Sequence, residues 1–391
     1  MHRYSFPLFL FFFISSIFSQ KETKEVLYFP VFSDTEVTIE SDTTTVVTIT
    51  CDTTITEEKL RKIDSLYQNM VTEKKFNGSI LIGRGDRVLY TNFNGYADFQ
   101  TKRKLTKNSR FEIASVSKQF TAVAILMLYE QGKLKLTDSI QRFIPDFPYS
   151  GITIHQLLCH RSGLPEYFKF ADDYHEDKEN TIMDNDSLLR MLKAVKPKIL
   201  QKPDKKFEYC NTGYAVLASI VERVSEMKFY EFVHTYIFTP LKMEETCFYY
   251  YDKYPTEFST VGHKATMKHY EKDYMSGVLG DKGIFTTAND LFIWSNALDK
   301  EKVLKTVTLK MAFTPKNPEL DSCQNYGYGW RISCDTCMRS MPFHGGLWNG
   351  NNTLFIKRPC DKTTFIVFSN IYNRAFSGKS KEFLWILDSG E

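Results

Sequence analysis

The chain has 391 residues, 42% of them apolar and 25% charged, a composition able to bury a sizeable core on surface-to-volume grounds. Its 50 basic and 47 acidic residues leave a formal charge of +3, so there is no electrostatic case for nucleic acid or for a polybasic membrane surface. The expected partner is a small molecule or a peptide, acted on by a monomer.

Residues 1–19 read as a secretory signal: His2 and Arg3 precede the mostly apolar run Phe6 to Phe18, and small Ser19 stands before polar Gln20 and Lys21. The run falls short of the roughly 20 residues that cross a bilayer. No membrane span is therefore expected in the mature chain, and a periplasmic or secreted location is. Residues 20–56 are Thr-rich with partial alternation, which fits an added strand or a loosely ordered leader outside the main domain, 57–391.

From Glu57 the pattern LRKIDSLYQNMV is helical, and two β-type runs follow, Gly78 to Gly83 and Arg87 to Asn92, joined by a Gly-Arg-Gly-Asp turn. Ala114 to Glu130 is apolar almost all round, the mark of a helix inside the protein, and Gly132 stops it. A Pro-punctuated stretch, a short helix (ITIHQLLCH) and a charged loop from Glu166 to Asp186 come next. After Tyr209, Val216, Leu217, Ile220, Val221 and Val224 recur at helical spacing. The C-terminal third turns to β texture (YGYGWRIS, NNTLFIK, TTFIVFS), with a closing helical pattern near KSKEFLWIL. The expected fold is mixed α/β: an antiparallel sheet flanked by helices, with a mostly helical insertion over approximately 115–270 and a cleft where the two meet.

Chemistry enters through three motifs. Ser115-Val116-Ser117-Lys118 opens the buried helix, where residues three apart share a face and the N-terminal dipole favours both a neutral lysine and a developing oxyanion. A desolvated lysine so placed can take the serine proton. Spacing alone is weak, since Ser225-Glu226-Met227-Lys228 repeats it, and Tyr67-Gln68-Asn69 and Tyr90-Thr91-Asn92 repeat the Tyr209-Cys210-Asn211 pattern. His344-Gly345-Gly346 is the single His-x-Gly, expected to end a turn before a strand, with glycines that let substrate approach the backbone. A Tyr beside a lysine can relay a proton to a leaving group, and Asn211 can orient a substrate amide or Lys118.

With these motifs in order, and with the blocks FEIASVSKQFTAVAI, ITIHQLLCHRSGLPEY, FEYCNTGYAVLASIVERVS, GDKGIFTTANDLFIWSNAL and YGYGW around them, the sequence resembles the serine β-lactamase and penicillin-binding-protein superfamily. The nearest likeness is its class C-like branch, with DD-peptidases and family VIII-type esterases. The resemblance implies that Ser115 forms an acyl-enzyme and that Lys118 and Tyr209 share the acid–base work. It further implies that Asn211, His344, Gly346 and Leu347 line the substrate site, with the backbone N–H groups of Ser115 and Leu347 as oxyanion hole. No cofactor or metal is implied. His344 stands where efficient β-lactamases carry lysine, so esterase or peptidase action is expected over efficient β-lactam hydrolysis. Lys282, Asp204 and Lys242 occupy positions expected to be glycine, which puts loop geometry in question. The alternative function is a non-hydrolytic binding or sensor protein for peptide or cell-wall fragments on the same fold.

Other features have plainer readings. Cys334-Asp335-Thr336-Cys337 lacks the surroundings of a redox or zinc site and reads as a hairpin tip with a disulfide or two thiols. His155 and His160 read as structural, and Asp172 to Asp177 as a solvated loop near the cleft rim.

Overall fold

The computed structural model describes residues 55–387, apart from 74–75, 175–177, 179–180, 249, 252–257, 272, 335–339, 373–381 and 384. The expected signal segment and nearly all of the Thr-rich extension lie outside the described residues.

Helix α1 (Glu57–Thr72) begins where Thr56 accepts the Lys59 N–H, the N-cap bond a Thr at that position makes. Strands β1 (Gly78–Arg84), β2 (Arg87–Asn94), β3 (Tyr96–Asp98), β4 (Arg103–Lys104) and β5 (Phe111–Glu112) follow. The chain then turns helical: α2 (Lys118–Glu130), α3 (Ile154–Leu158), α4 (Ala171–Tyr174), α5 (Asn185–Val195), α6 (Asn211–Ser225), α7 (Phe229–Val233) and α8 (Thr239–Leu241). Strands β6 (Cys247–Phe248) and β7 (Ile284–Thr286), helices α9 (Ala288–Asp299) and α10 (Thr306–Phe313), and strands β8 (Asn325–Tyr326), β9 (Arg331–Cys334), β10 (Ser340–Trp348), β11 (Asn351–Arg358) and β12 (Thr363–Ser369) complete the order.

Seven strands form one antiparallel sheet in the order β2-β1-β12-β11-β10-β9-β8, so N- and C-terminal segments pair side by side, Ile80 opposite Val367. Successive side chains of a strand point to opposite faces, and β12 shows the result. Phe365 and Val367 pack with Ile63, Tyr67 and Met70 of α1 and with Phe383 and Leu387, whereas Ile366 and Phe368 face the larger core with α2 and α9. Each such side chain contributes about 1.5–3 kcal/mol when fully buried. Both sheet faces are covered, the inner one by α9 on β1 and β12 and by the 3-10 turn ahead of α2 on β10 and β11.

The described part of the charged stretch 166–186 is more ordered than a loop. It holds a 3-10 turn over Tyr167–Lys169, α4, and the N-cap of α5, where the Asp184 side chain accepts the Ser187 N–H. Its charged residues mask the buried Leu188, Met191 and Leu192 that anchor α5. The disulfide also differs from the Cys334–Cys337 hairpin reading: Cys334 pairs with Cys323, eleven residues upstream, tying β9 to the segment before β8.

Candidate active site

Ala114–Ser117 form a 3-10 turn that runs directly into α2. The sequence places Ser115 in the first turn of an α-helix; the tighter winding is the difference, and it matters, because three residues per turn eclipse Ser115 and Lys118. From Phe111 to Leu126 every residue is buried except Ser115, which stays partly exposed. Ala114, just before it, lies in the left-handed region at φ +48°, a conformation that costs a non-glycine residue about 1–3 kcal/mol and clusters at functional sites.

Lys118 is wholly buried, and its Nζ sits 3.0 Å from Ser115 Oγ, 2.7 Å from Asn211 Oδ1 and 2.8 Å from the Asp281 carbonyl oxygen. Asn211, first residue of α6, is held in turn by Glu166, whose Oε2 accepts the Asn211 backbone N–H at 2.9 Å and its side-chain amide at 3.1 Å. Burial raises the Glu166 carboxyl above its ordinary range. The second Ser-x-x-Lys is a decoy: Ser225 Oγ donates to the Val221 carbonyl, and Lys228 pairs with Asp186 on the surface.

Tyr209 precedes α6, and its ring lies 5.2 Å from Lys118 Nζ. His160, read from sequence as structural, is what fixes this tyrosine. Its carbonyl accepts the Glu208 N–H and its Nδ1 accepts the Cys210 N–H at 3.1 Å, one on each side of Tyr209, while the two rings sit 4.2 Å apart. The bracket also needs His160 at φ +60°. His155, by contrast, binds the Tyr328 hydroxyl at 2.7 Å and stays structural. Sequence reasoning also missed Arg331, whose guanidinium lies 5.1 Å from the Tyr209 ring centre. Partly exposed, it has no acidic partner among the described residues.

His344, Gly345 and Gly346 lie inside β10, not at the end of a turn before it. His344 is 1% exposed, with Nε2 at 3.0 Å from the Tyr326 hydroxyl and Nδ1 at 2.7 Å from the Gly345 carbonyl. It therefore backs Tyr209 and does not face open solvent as a substrate-lining residue would. Burial, then the Arg331 and Lys118 charges, push its pKa well below the ordinary value, so it is neutral. Gly346 also has a different reason than room for substrate. A Cβ there would lie 2.3 Å from both the Ile113 carbonyl and Thr353 Oγ1; the missing side chain lets β10 close onto the Ser115 turn. Leu347, half exposed, follows on the open side.

Asp204 and Lys242 do adopt the left-handed backbone that glycine suits, at φ +65° and +58°. Lys282 does not, because Gly280 and Gly283 on either side take the positive φ values. Its ammonium turns inward to the Tyr167 hydroxyl and lies 5.0 Å from the Trp348 ring and 5.6 Å from that of Phe168. Tyr167 in turn donates to Asp281 Oδ2 at 3.1 Å. This buried cluster braces the segment whose Asp281 carbonyl receives Lys118.

The profile of the Beta-lactamase family matches residues 63–387. The chain is 33% identical over 331 residues to penicillin-binding protein 4* of Bacillus subtilis, covering 80% of this chain and 72% of that one. It is 26% identical over 332 residues to protein flp of Staphylococcus aureus, covering 81% of this chain and 64% of flp. The crystal structure of a penicillin-binding protein from Bacillus halodurans superposes with a TM-score of 0.72 at 25% identity, over 81% of this chain and 98% of that one. Among the described residues no helix is long and apolar enough to cross a membrane.

Proposed function

The chain belongs to the Beta-lactamase family, and we propose that it is an exported serine hydrolase that cleaves an ester, peptide or related amide through an acyl-enzyme on Ser115. The observation that carries this reading is the set of three oxygens around Lys118 Nζ: with Asn211 Oδ1 and the Asp281 carbonyl taking two N–H bonds, the third position points at Ser115 Oγ. In its free-amine form Lys118 takes the hydroxyl proton as Oγ attacks the substrate carbonyl. The N–H groups of Ser115 and Leu347 receive the developing oxyanion, a role in which one donor is worth about 3 kcal/mol. Tyr209, beside Lys118, passes the proton to the leaving alcohol or amine. Water then attacks the acyl carbon and frees Ser115.

A neutral, buried His344 supplies no charge for a substrate carboxylate; Arg331 over Tyr209 takes that part. With the cation on β9 and none on β10, esters and flexible carboxylate-bearing peptides are favoured over efficient turnover of a β-lactam, whose carboxylate is fixed to its ring system. Export is supported by the apolar run Phe6 to Phe18 and by the Cys323–Cys334 disulfide. The relative named for binding penicillin supplies the probe: labelling by a fluorescent penicillin, lost in Ser115→Ala, together with faster turnover of a short-chain nitrophenyl ester than of a chromogenic cephalosporin. No labelling by penicillin or by a fluorophosphonate would overturn the acyl-enzyme, and turnover of the cephalosporin alone would overturn the preference.

A further inference from the structure

Away from Ser115, three metal-ligating side chains converge. Asp98 ends β3, and His263 and His269 face one another across a tight hairpin, closed by the Lys264 N–H on the Lys268 carbonyl at 2.8 Å. One ligand atom from each residue lies within 4.8 Å of the other two. His269 Nε2 is 2.7 Å, and His263 Nε2 3.7 Å, from Asp98 Oδ1.

The tautomer of His263 follows from its backbone neighbours. Its Nδ1 faces the Asn370 carbonyl at 3.3 Å, and its Nε2 faces the Phe99 N–H at 3.3 Å. A carbonyl requires a proton on Nδ1 and an N–H requires a lone pair on Nε2, so the unprotonated nitrogen is the one turned toward Asp98, and an ion bound there takes over that single lone pair from the Phe99 N–H. A backbone carbonyl fixing the remote nitrogen of a ligating histidine is a recurrent outer-shell arrangement of metal sites. The carbonyl is itself rigidly placed, since Asn370 Nδ2 donates to the Tyr96, Ala97 and Val261 carbonyls at 3.1, 3.1 and 2.9 Å.

We propose that Asp98, His263 and His269 bind one divalent transition-metal ion of the zinc or cobalt class. Two imidazoles and one carboxylate suit such an ion and not the hard, oxygen-seeking Mg²⁺ or Ca²⁺. With bonds of about 2.0–2.2 Å, ligand atoms on a tetrahedral ion lie roughly 3.3–3.5 Å apart, so the 3.7 Å pair is nearly in place. The adjustment falls to His269, whose side chain is 33% exposed, while that of His263 is fully buried. Water fills the remaining position from the His269 side. Binding displaces the His269 Nε2 proton, to its own Nδ1 or to solvent. The ion ties β3, the 263–269 hairpin and the chain after β12 together. The same segment continues to Ser276, whose Oγ accepts from Trp348 Nε1 and Asn349 Nδ2, both at 3.3 Å, at the end of the strand carrying Leu347.

The test uses the purified protein stripped with EDTA and dialysed. Titration with Co²⁺, followed by visible absorption, and with Zn²⁺, by calorimetry, is expected to give one ion per chain and a melting temperature raised by several degrees; Mg²⁺ gives neither. His269→Ala, at a partly exposed position, is expected to weaken Zn²⁺ binding by at least about 100-fold, the upper range for loss of a mere outer-shell partner, and Asp98→Asn similarly. Absence of a stoichiometric Co²⁺ spectrum in the unaltered protein overturns the proposal without any variant. Retention of full Zn²⁺ affinity in His269→Ala overturns it as well.

Discussion

The Glu166 carboxylate receives both the backbone and the side-chain amide N–H of Asn211, which leaves Asn211 Oδ1 no direction but toward Lys118. Glu166 is thus a positioning residue for the base, acting through Asn211. Glu166→Ala is expected to lower kcat by roughly 10–100-fold, the loss of about 1.4–2.7 kcal/mol of oriented hydrogen bonding, while KM changes little. Steady-state kinetics on a nitrophenyl ester checks this; a pure KM effect would assign Glu166 to substrate binding instead.

Lys118 is the proton acceptor in the proposed reaction, and its three oxygen contacts are all inside the protein. Lys118→Met keeps most of the volume and removes the nitrogen. Acylation of Ser115 is expected to slow by at least about 10³-fold, of the order general-base loss produces. Stopped-flow labelling with fluorescent penicillin measures it directly, and a variant that labels at the normal rate would rule out Lys118 as the base.

Arg331 offers a cation beside Tyr209 without an acidic partner among the described residues. Arg331→Gln is expected to reduce kcat/KM for peptides ending in a free carboxylate by roughly 10–100-fold, in line with about 1.5–3 kcal/mol for a charge-assisted bond. Neutral esters should be hydrolysed as before. Equal losses on both substrates would mean that Arg331 supports Tyr209 and does not select substrates.

Burial holds His344 neutral, its folded pKa well below the ordinary value. The unfolded chain takes up a proton near pH 6.5 and the folded chain does not, so the stabilisation is complete above pH 6.5 and is lost as pH falls toward the folded pKa. Glu112 acts in the opposite sense, since burial raises its carboxyl to about 8 and its contribution fades as pH rises toward that value. The difference between variants isolates the histidine. Between pH 6.5 and 5.5, His344→Gln is expected to gain on the unaltered protein by about 1 kcal/mol in urea unfolding. A difference independent of pH would show that His344 titrates normally.

Much of this protein was legible in its sequence because local chemistry dictated it. The apolar surround of α2 marked a buried helix, the β texture of TTFIVFS marked a strand, and Ser115, Lys118, Tyr209 and Asn211 could be picked out and do converge. Those signals are carried by residues close together in the chain. What the sequence withheld depends on contacts between distant segments. His160 brackets a tyrosine 49 residues away, Glu166 holds Asn211 across the start of α6, Lys282 is caged by Trp348, and Arg331 lies over the Tyr209 ring. The His263–His269 spacing matches no metal motif until β3 brings Asp98 beside it. Periodicity and motif order determined which elements form and which serine opens the buried helix; only tertiary packing decided which side chains face that serine, because burial and orientation belong to the assembled neighbours and to no single stretch of chain.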